Sequence, residues 1–430
     1  MNSNFCNLNG VSRRSFLRTL GAASAAAAAL PAMSYGQNQQ APGPQGAGGR
    51  QRGGMSDMGE RVPLGPDVVI ISSNENPLGP AKSALDAMGS TAPLGGRYHQ
   101  EVSSKAVATF NETFGLKRGY VGLFPGSGGP LDMALMSNIG PDKPLIMGDP
   151  SYEQGTRAAQ TMKAPLFAVK LTPTYAHDVK AMLAAHPSPG AYYIVNPNNP
   201  TGTMTPKADI DWLVANKPKG SVVIIDEAYH HFSPDESSIG LVAQDKDVIV
   251  TRTFSKIYGM AGIRAGVAIA RPDLLAKFAS LEGVPVPTRS LGSISIVSAA
   301  AVTASLTDKE LVPLRRKINA DIREETLAFL TKKGYKIVPG SQANFFMVDV
   351  GRPGAEFHKA MLEEKVSIGR TWPSMPTYVR VTVGTKPEMD KFQTAFVKCM
   401  DKTPTMESGA ELHLPQYHVP TELYRGELYA

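Results

Sequence analysis

From residue 68 onward, short runs of β-branched and apolar residues alternate with longer stretches of mixed polarity. The runs cover 68–72, 144–148, 165–169, 191–196, 221–226, 248–254 and 266–270. Several are continuous rather than alternating, Val222-Val223-Ile224-Ile225 being the plainest. An unbroken apolar run is what a strand needs when helices cover both faces of its sheet. Strands separated by helical stretches therefore predict an α/β chain with a mostly parallel sheet. A long helical stretch over about 308–333 closes this region. Beyond it the strands shorten, at 335–338, 344–350, 366–369 and 378–383, with helices between, which predicts a smaller α+β domain. No internal repeat is visible.

The two ends of the chain break this pattern. Residues 12–18 read Ser-Arg-Arg-Ser-Phe-Leu-Arg, an uncharged stretch rich in Ala follows over 19–32, and small residues stand at Ser34 and Gly36. This resembles a twin-arginine export signal, which implies passage through the twin-arginine translocase and a periplasmic or otherwise exported location. A short membrane anchor or a chance arginine pair is the other reading, although the stretch falls short of the roughly 20 residues of a spanning helix. Residues 37–60 are rich in Gln, Gly, Pro and Ala without apolar periodicity, and read as a disordered tether. The expected organisation is a signal at 1–36, a linker at 37–62, part of the small domain at 63–92, the large domain at 93–315, the rest of the small domain at 316–401 and an irregular tail at 402–430.

Composition narrows the class. With 430 residues, 42% hydrophobic and 19% charged, the chain is neither a charge-rich disordered protein, nor a membrane protein of many spans, nor a lone small binding module. Its 44 Lys and Arg against 38 Asp and Glu leave a net charge of +6, too modest to suggest a nucleic-acid face. The two cysteines are Cys6, inside the expected signal, and Cys399, so a mature chain would form no internal disulfide.

Candidate chemistry collects at the C-terminal ends of the expected strands, where open α/β sheets place their ligands. Asp226 ends one run within Asp226-Glu227-Ala228-Tyr229. Asn196-Pro197-Asn198-Asn199-Pro200-Thr201-Gly202 ends another, and Thr253-Phe254-Ser255-Lys256 a third, followed by Arg264. Singly, none is specific: an Asp after a strand serves equally as a helix N-cap, an Asn-Pro-Thr-Gly segment as a turn, and a Ser-Lys pair as surface.

Order and spacing together are more informative. The set resembles the fold-type I enzymes that use pyridoxal 5′-phosphate, and among them the class I/II aminotransferases of the histidinol-phosphate group. The likeness runs over nearly all of 63–400, including Asn74-Glu75-Asn76-Pro77-Leu78-Gly79-Pro80 and Val379-Arg380-Val381-Thr382-Val383-Gly384. It implies a large mostly parallel-sheet domain with a smaller α+β domain, and transamination between an amino acid, or a histidinol-phosphate-like amine, and a 2-oxo acid. The resemblance gives Lys256 the imine with the cofactor aldehyde and the later proton transfers, a role suited to an amine of lowered pKa. It puts Asp226 against the pyridine nitrogen, Tyr229 and Asn199 on the phenolic oxygen, and Tyr152 on the ring face. Gly126, Ser127 and Gly128, at a helix start, would hold the phosphate with Thr253, Ser255 and Arg264. Tyr98 would reach the phosphate of a neighbouring subunit, which implies a homodimer with composite sites. Arg380 would grip the substrate α-carboxylate, its alternative being a strand Arg in a salt bridge; Arg370 would meet the distal group, and Asn344 and Asn76 would contact substrate, a buried strand cap being equally open to Asn344. No metal is expected, and His99, His230 and His231 are read as lining the pocket or facing solvent.

Departures from the histidinol-phosphate pattern cluster where a substrate side chain would lie. His99-Gln100 replaces Pro-Asp after Tyr98, Leu78 stands where an aromatic is usual, and Glu153-Gln154-Gly155 follows Tyr152 with no second Tyr. The cofactor cradle is thus complete while the specificity surface is altered. The same cradle supports racemisation, lyase chemistry or oxidation of an amino acid, and an exported binding protein that has lost catalysis is the reading from another class.

Overall fold

The computed structural model describes residues 65, 67–281 and 294–401. The expected signal, the linker up to residue 62 and the tail from 402 lie outside the described residues. Eleven strands are described: β1 (Val69–Ile71), β2 (Val121–Phe124), β3 (Leu145–Asp149), β4 (Leu166–Lys170), β5 (Ala191–Val195), β6 (Val222–Asp226), β7 (Val248–Thr253), β8 (Gly266–Ile269), β9 (Phe345–Asp349), β10 (Val366–Ile368) and β11 (Tyr378–Thr382). Seven form one sheet in the order β2-β8-β7-β6-β5-β3-β4. Strands β3 to β7 pair in parallel, and β8 runs antiparallel between β7 and β2. The chain is α/β.

The unbroken apolar runs find their explanation in two cores. Along β6, Val223 and Ile225 join a cluster on one face while Val222 and Ile224 join a second on the other. Tyr192 and Tyr193, adjacent on β5, divide in the same way, both fully buried. Removing one such side chain costs about 2–5 kcal/mol, so the strand ends are held in place by their own middles. Strand β2 escaped the sequence pattern because Gly122 interrupts a run of only four residues. The strand expected at 335–338 is reduced to a single bridge, Ile337 opposite Val348; Tyr335 and Ile337 pack on a neighbouring core without extending a ladder.

The C-terminal strands make two small sheets. β1 pairs in parallel with β10, Val69 opposite Val366, and β11 pairs antiparallel with β9, Arg380 opposite Met347. A third core, with Phe346, Phe357, Phe392 and Phe396, fills in behind them. The helix Leu311–Lys332 ties the regions together: Arg315 donates to the carbonyls of Ile257 (3.0 Å) and Gly79 (2.6 Å), Arg316 to that of His231 (2.9 Å) and Arg323 to that of Ala343 (2.9 Å). Among the described residues no helix is long and apolar enough to cross a membrane.

Candidate active site

Five segments converge on one cleft: the turn after β2, the ends of β6 and β7, the loop 72–80 after β1, and β11. The turn after β2 forms an anion cradle. Gly126 holds a φ of +88°, and a Cβ there would lie 2.1 Å from Arg264 Nη2, so only glycine leaves the guanidinium its place. Gly266 on β8 lets that turn approach: its Cβ would stand 2.5 Å from the Ser127 nitrogen. Ser127 starts the helix Gly128–Met136 without using its hydroxyl as a cap, leaving oxygen and first-turn N–H groups for a ligand. Facing it, Thr253 Oγ1 donates to Ser255 Oγ at 2.9 Å and accepts from the Ser255 nitrogen at 3.1 Å. Arg264 is held by the Ala261 carbonyl at 2.7 Å and reaches Ser255 Oγ at 3.4 Å. A guanidinium, three hydroxyls and a helix N-terminus, brought close by two glycines, fit a phosphate, as the resemblance requires.

Asp226, at the end of β6, is buried and accepts from Thr251 Oγ1 and the Ala228 nitrogen, both at 3.1 Å. Burial raises its carboxyl to about 6, the two donors and the Lys256 charge opposing this. A cation brought to this carboxylate would be strongly held. Lys256 follows β7; its Nζ donates to the Ser73 carbonyl at 3.3 Å and lies 5.5 Å from the Tyr229 ring centroid. Burial, together with the positive charges of Arg380 and Arg264, lowers this amine to about 8. The Tyr229 hydroxyl accepts from Asn74 Nδ2 at 3.0 Å, and its ring meets Phe345 edge-on. Tyr152 is half-buried after β3, packed on the second core.

The opposite wall gathers around Arg380. Its Nη1 donates to Asn199 Oδ1 at 2.8 Å and its Nη2 to the Ser72 carbonyl at 2.9 Å, while its buried Nε has no partner. The guanidinium lies over Trp372 and Phe345, 5.3 and 5.5 Å from their ring centroids. Among the described residues Arg380 makes no ion pair, so the salt-bridge alternative is not what the structure shows: its hydrogen-bond partners are neutral acceptors. Asn344 donates to the carbonyls of Asn74 (3.2 Å) and Glu75 (3.1 Å), and its buried Oδ1 is unpartnered. Arg370 pairs with Glu153 at 2.5 Å and stacks on Trp372.

Asn76, His230 and His231 take places other than those expected, while the exposure of Tyr98 leaves its expected role toward a neighbouring subunit open. Asn76 commits its amide to the backbone, donating to the Ile257 carbonyl (3.0 Å) and accepting from the Leu78 nitrogen (3.1 Å). From the same motif it is Asn74, at a φ of 53°, that reaches the cleft, fixed by Thr382 as well as Tyr229. Tyr98 is 92% exposed, outside the cleft of its own chain. His230 and His231 neither line the pocket nor face solvent: they are buried beneath the end of β6, against an ion pair the sequence did not reveal. There Arg252 Nη2 meets Glu227 Oε2 at 2.8 Å, both side chains almost fully buried. Burial alone would raise the Glu227 carboxyl; Arg252, with the Ser237 and Ser238 donors, more than reverses this. Burial and the Arg252 charge push His231 well down, so it is neutral. Among the described residues no group of three or more His, Cys, Asp or Glu could hold a metal ion.

Residues 66–396 match the family described as aminotransferase class I and II. A histidinol-phosphate aminotransferase of Moorella thermoacetica is 31% identical over 339 residues, covering 76% of this chain and 84% of that protein. An aromatic amino acid aminotransferase of Cutibacterium acnes is likewise 31% identical, over 76% of this chain and 91% of its own length. The crystal structure of histidinol-phosphate aminotransferase from Sinorhizobium meliloti in complex with pyridoxal 5′-phosphate shares the fold, with a TM-score of 0.68 over 81% of this chain and 99% of that one, at 21% identity. The chain belongs to the class I and II aminotransferase family and is a transaminase whose cofactor is pyridoxal 5′-phosphate.

Proposed function

We propose that the chain moves an amino group between an amino acid, or a histidinol-phosphate-like amine, and a 2-oxo acid, with Lys256 as the reacting amine. The observation that carries this reading is the lowered Lys256 amine, set among Asp226, Tyr229 and Arg380 in one cleft. When bound, pyridoxal 5′-phosphate supplies an aldehyde that condenses with amines and a ring that accepts the electron pair left when a substrate Cα loses its proton. Gly126, Ser127, Gly128, Thr253, Ser255 and Arg264 would hold the phosphate. Asp226 would keep the ring nitrogen protonated, since a cation beside it restores the charge that burial disfavours. Tyr229 and Asn199 would bond the phenolic oxygen, and Tyr152 would lie on the ring face. Arg380 would take the α-carboxylate through its unpartnered Nε and the spare hydrogens of its Nη groups. With a pKa of about 8, Lys256 Nζ can take the proton from the substrate Cα and return it with little free-energy difference between its forms at neutral pH.

Titration of cofactor-loaded protein with single amino acids tests this. Transamination predicts loss of the visible absorbance with some donors and release of one equivalent of oxo acid without an acceptor. Racemisation, lyase chemistry or oxidation would give no such stoichiometric half-reaction, and a binding protein no change at all.

Export belongs to the same proposal and is supported by the pattern of residues 12–36. Cell fractionation of the full chain against Arg13→Lys/Arg14→Lys tests it: retention of both in the cytoplasm would sink the idea. A homodimer with composite sites is supported by the exposure of Tyr98. Sedimentation of the loaded enzyme at twice the chain mass, with Tyr98→Ala weakening cofactor retention, is the expected outcome. The division into domains at 93–315 and 316–401 is supported by the separate sheets on its two sides.

A further inference from the structure

Arg370 is the second guanidinium at the cleft, and it is already paired. Gly369 donates to the Arg380 carbonyl at 2.8 Å, which puts Arg370 beside Arg380, and both guanidiniums lie against the Trp372 indole, at 4.7 and 5.3 Å from its centroid. The charges of both Arg370 and Glu153 are felt at Arg380, and that of Arg370 at Tyr229. Glu153 precedes the helix Gln154–Met162 without capping it, and its carboxylate turns outward to Arg370 at 2.5 Å. The helix N-terminus behind it favours the negative charge. With 51% of the Arg370 side chain and 28% of the Glu153 side chain exposed, the pair is a labile, solvent-screened contact at the rim and not a weld of the fold.

From this arrangement we infer that Glu153 is a specificity-determining residue that occupies the anion site of Arg370 from within the chain. The inference rests on the transaminase reading above and narrows its substrate class. A donor gripped by its α-carboxylate at Arg380 and carrying a second anion, whether carboxylate or phosphate, would have to displace Glu153 and then lie beside its charge. Donors with uncharged or cationic side chains meet neither cost. Selectivity here arises from repulsion built into the pocket as much as from attraction.

Kinetics of the loaded enzyme with an aromatic and a dicarboxylic amino acid, in the native chain, Glu153→Gln, Glu153→Asp and Glu153→Gln/Arg370→Gln, test this. The native enzyme should prefer the aromatic donor. Glu153→Gln should raise the ratio of kcat/KM, dicarboxylic over aromatic, by about tenfold or more, chiefly through KM. Glu153→Asp should restore much of the native ratio, and the double variant should lose the gain. Calorimetric titration with succinate, which binds without reacting, should show the same order of affinities. Turnover with an unchanged ratio in Glu153→Gln, or a native preference for the dicarboxylic donor, would overturn the inference while leaving transamination intact. Turnover of neither donor, with succinate binding still strengthened by Glu153→Gln, would overturn the transaminase reading alone.

Discussion

The two walls of the cleft are built on different principles. On the cofactor wall, the hydrogen bonds of the cradle are mostly local: Thr253 with Ser255, two residues apart, Asp226 with Ala228 at two and Thr251 at 25. On the substrate wall the bonds span the chain. Arg380 meets Ser72 across 308 residues and Asn199 across 181, and Asn74 meets Thr382 across 308. That wall also keeps buried valences unmet, Arg380 Nε and Asn344 Oδ1, whereas the cradle residues hold one another in place. Local bonding makes a cradle that is rigid before the cofactor arrives. Long-range bonding makes a wall whose satisfaction waits for a ligand.

Four changes would break or sharpen this contrast. Lys256→Ala removes the one reactive amine and leaves both walls standing; turnover should fall by at least about 10⁴-fold in a single-turnover oxo-acid assay, with the fold unchanged by circular dichroism. Arg380→Ala attacks the far wall, and should cost about 3–4 kcal/mol, on the order of 10²–10³ in kcat/KM, with Arg380→Lys recovering little. The third change is in pH. Because burial raises Asp226 to about 6 from 3.8, the folded chain without cofactor prefers the protonated form, and that contribution to stability is present at low pH and lost as pH rises through about 6. The loss should reach about 2 kcal/mol in denaturant titrations of cofactor-free protein between pH 4 and 7, and Asp226→Asn should abolish it. Cofactor loading should diminish it as well. The smallest effect is expected from Gly126→Ala, which strains a φ of +88° and displaces Arg264; cofactor affinity should weaken by about tenfold in equilibrium dialysis, leaving the substrate wall intact.

Legibility in the sequence follows the same division. The run Val222 to Ile225 announced a strand covered on both faces, and Asp226 and Lys256 stood out because each closes or follows a strand. Local coding leaves local signals. Strand β2 was hidden by Gly122, and the run at 335–338 looked like a strand although its chain pairs only at Ile337. The choice between Asn74 and Asn76 turns on a left-handed φ at Asn74 that composition does not reveal. The buried pair Glu227 and Arg252 was invisible because its partners are 25 residues apart and such side chains are ordinarily solvated. Removing one partner of such a pair strands the other charge, at a cost of about 3–5 kcal/mol.

Parallel pairing of β1 with β10 has a consequence for how the chain is made. Ser72 and Ser73, whose carbonyls receive Arg380 and Lys256, leave the ribosome early, but Arg380 follows Ser72 by 308 residues. Val69 cannot find Val366 until synthesis is nearly over. A nascent or prematurely terminated chain therefore carries the cradle without the wall that grips a substrate. Such a chain has no Arg380 with which to grip an amino acid, so the hold on substrate is among the last properties that synthesis supplies.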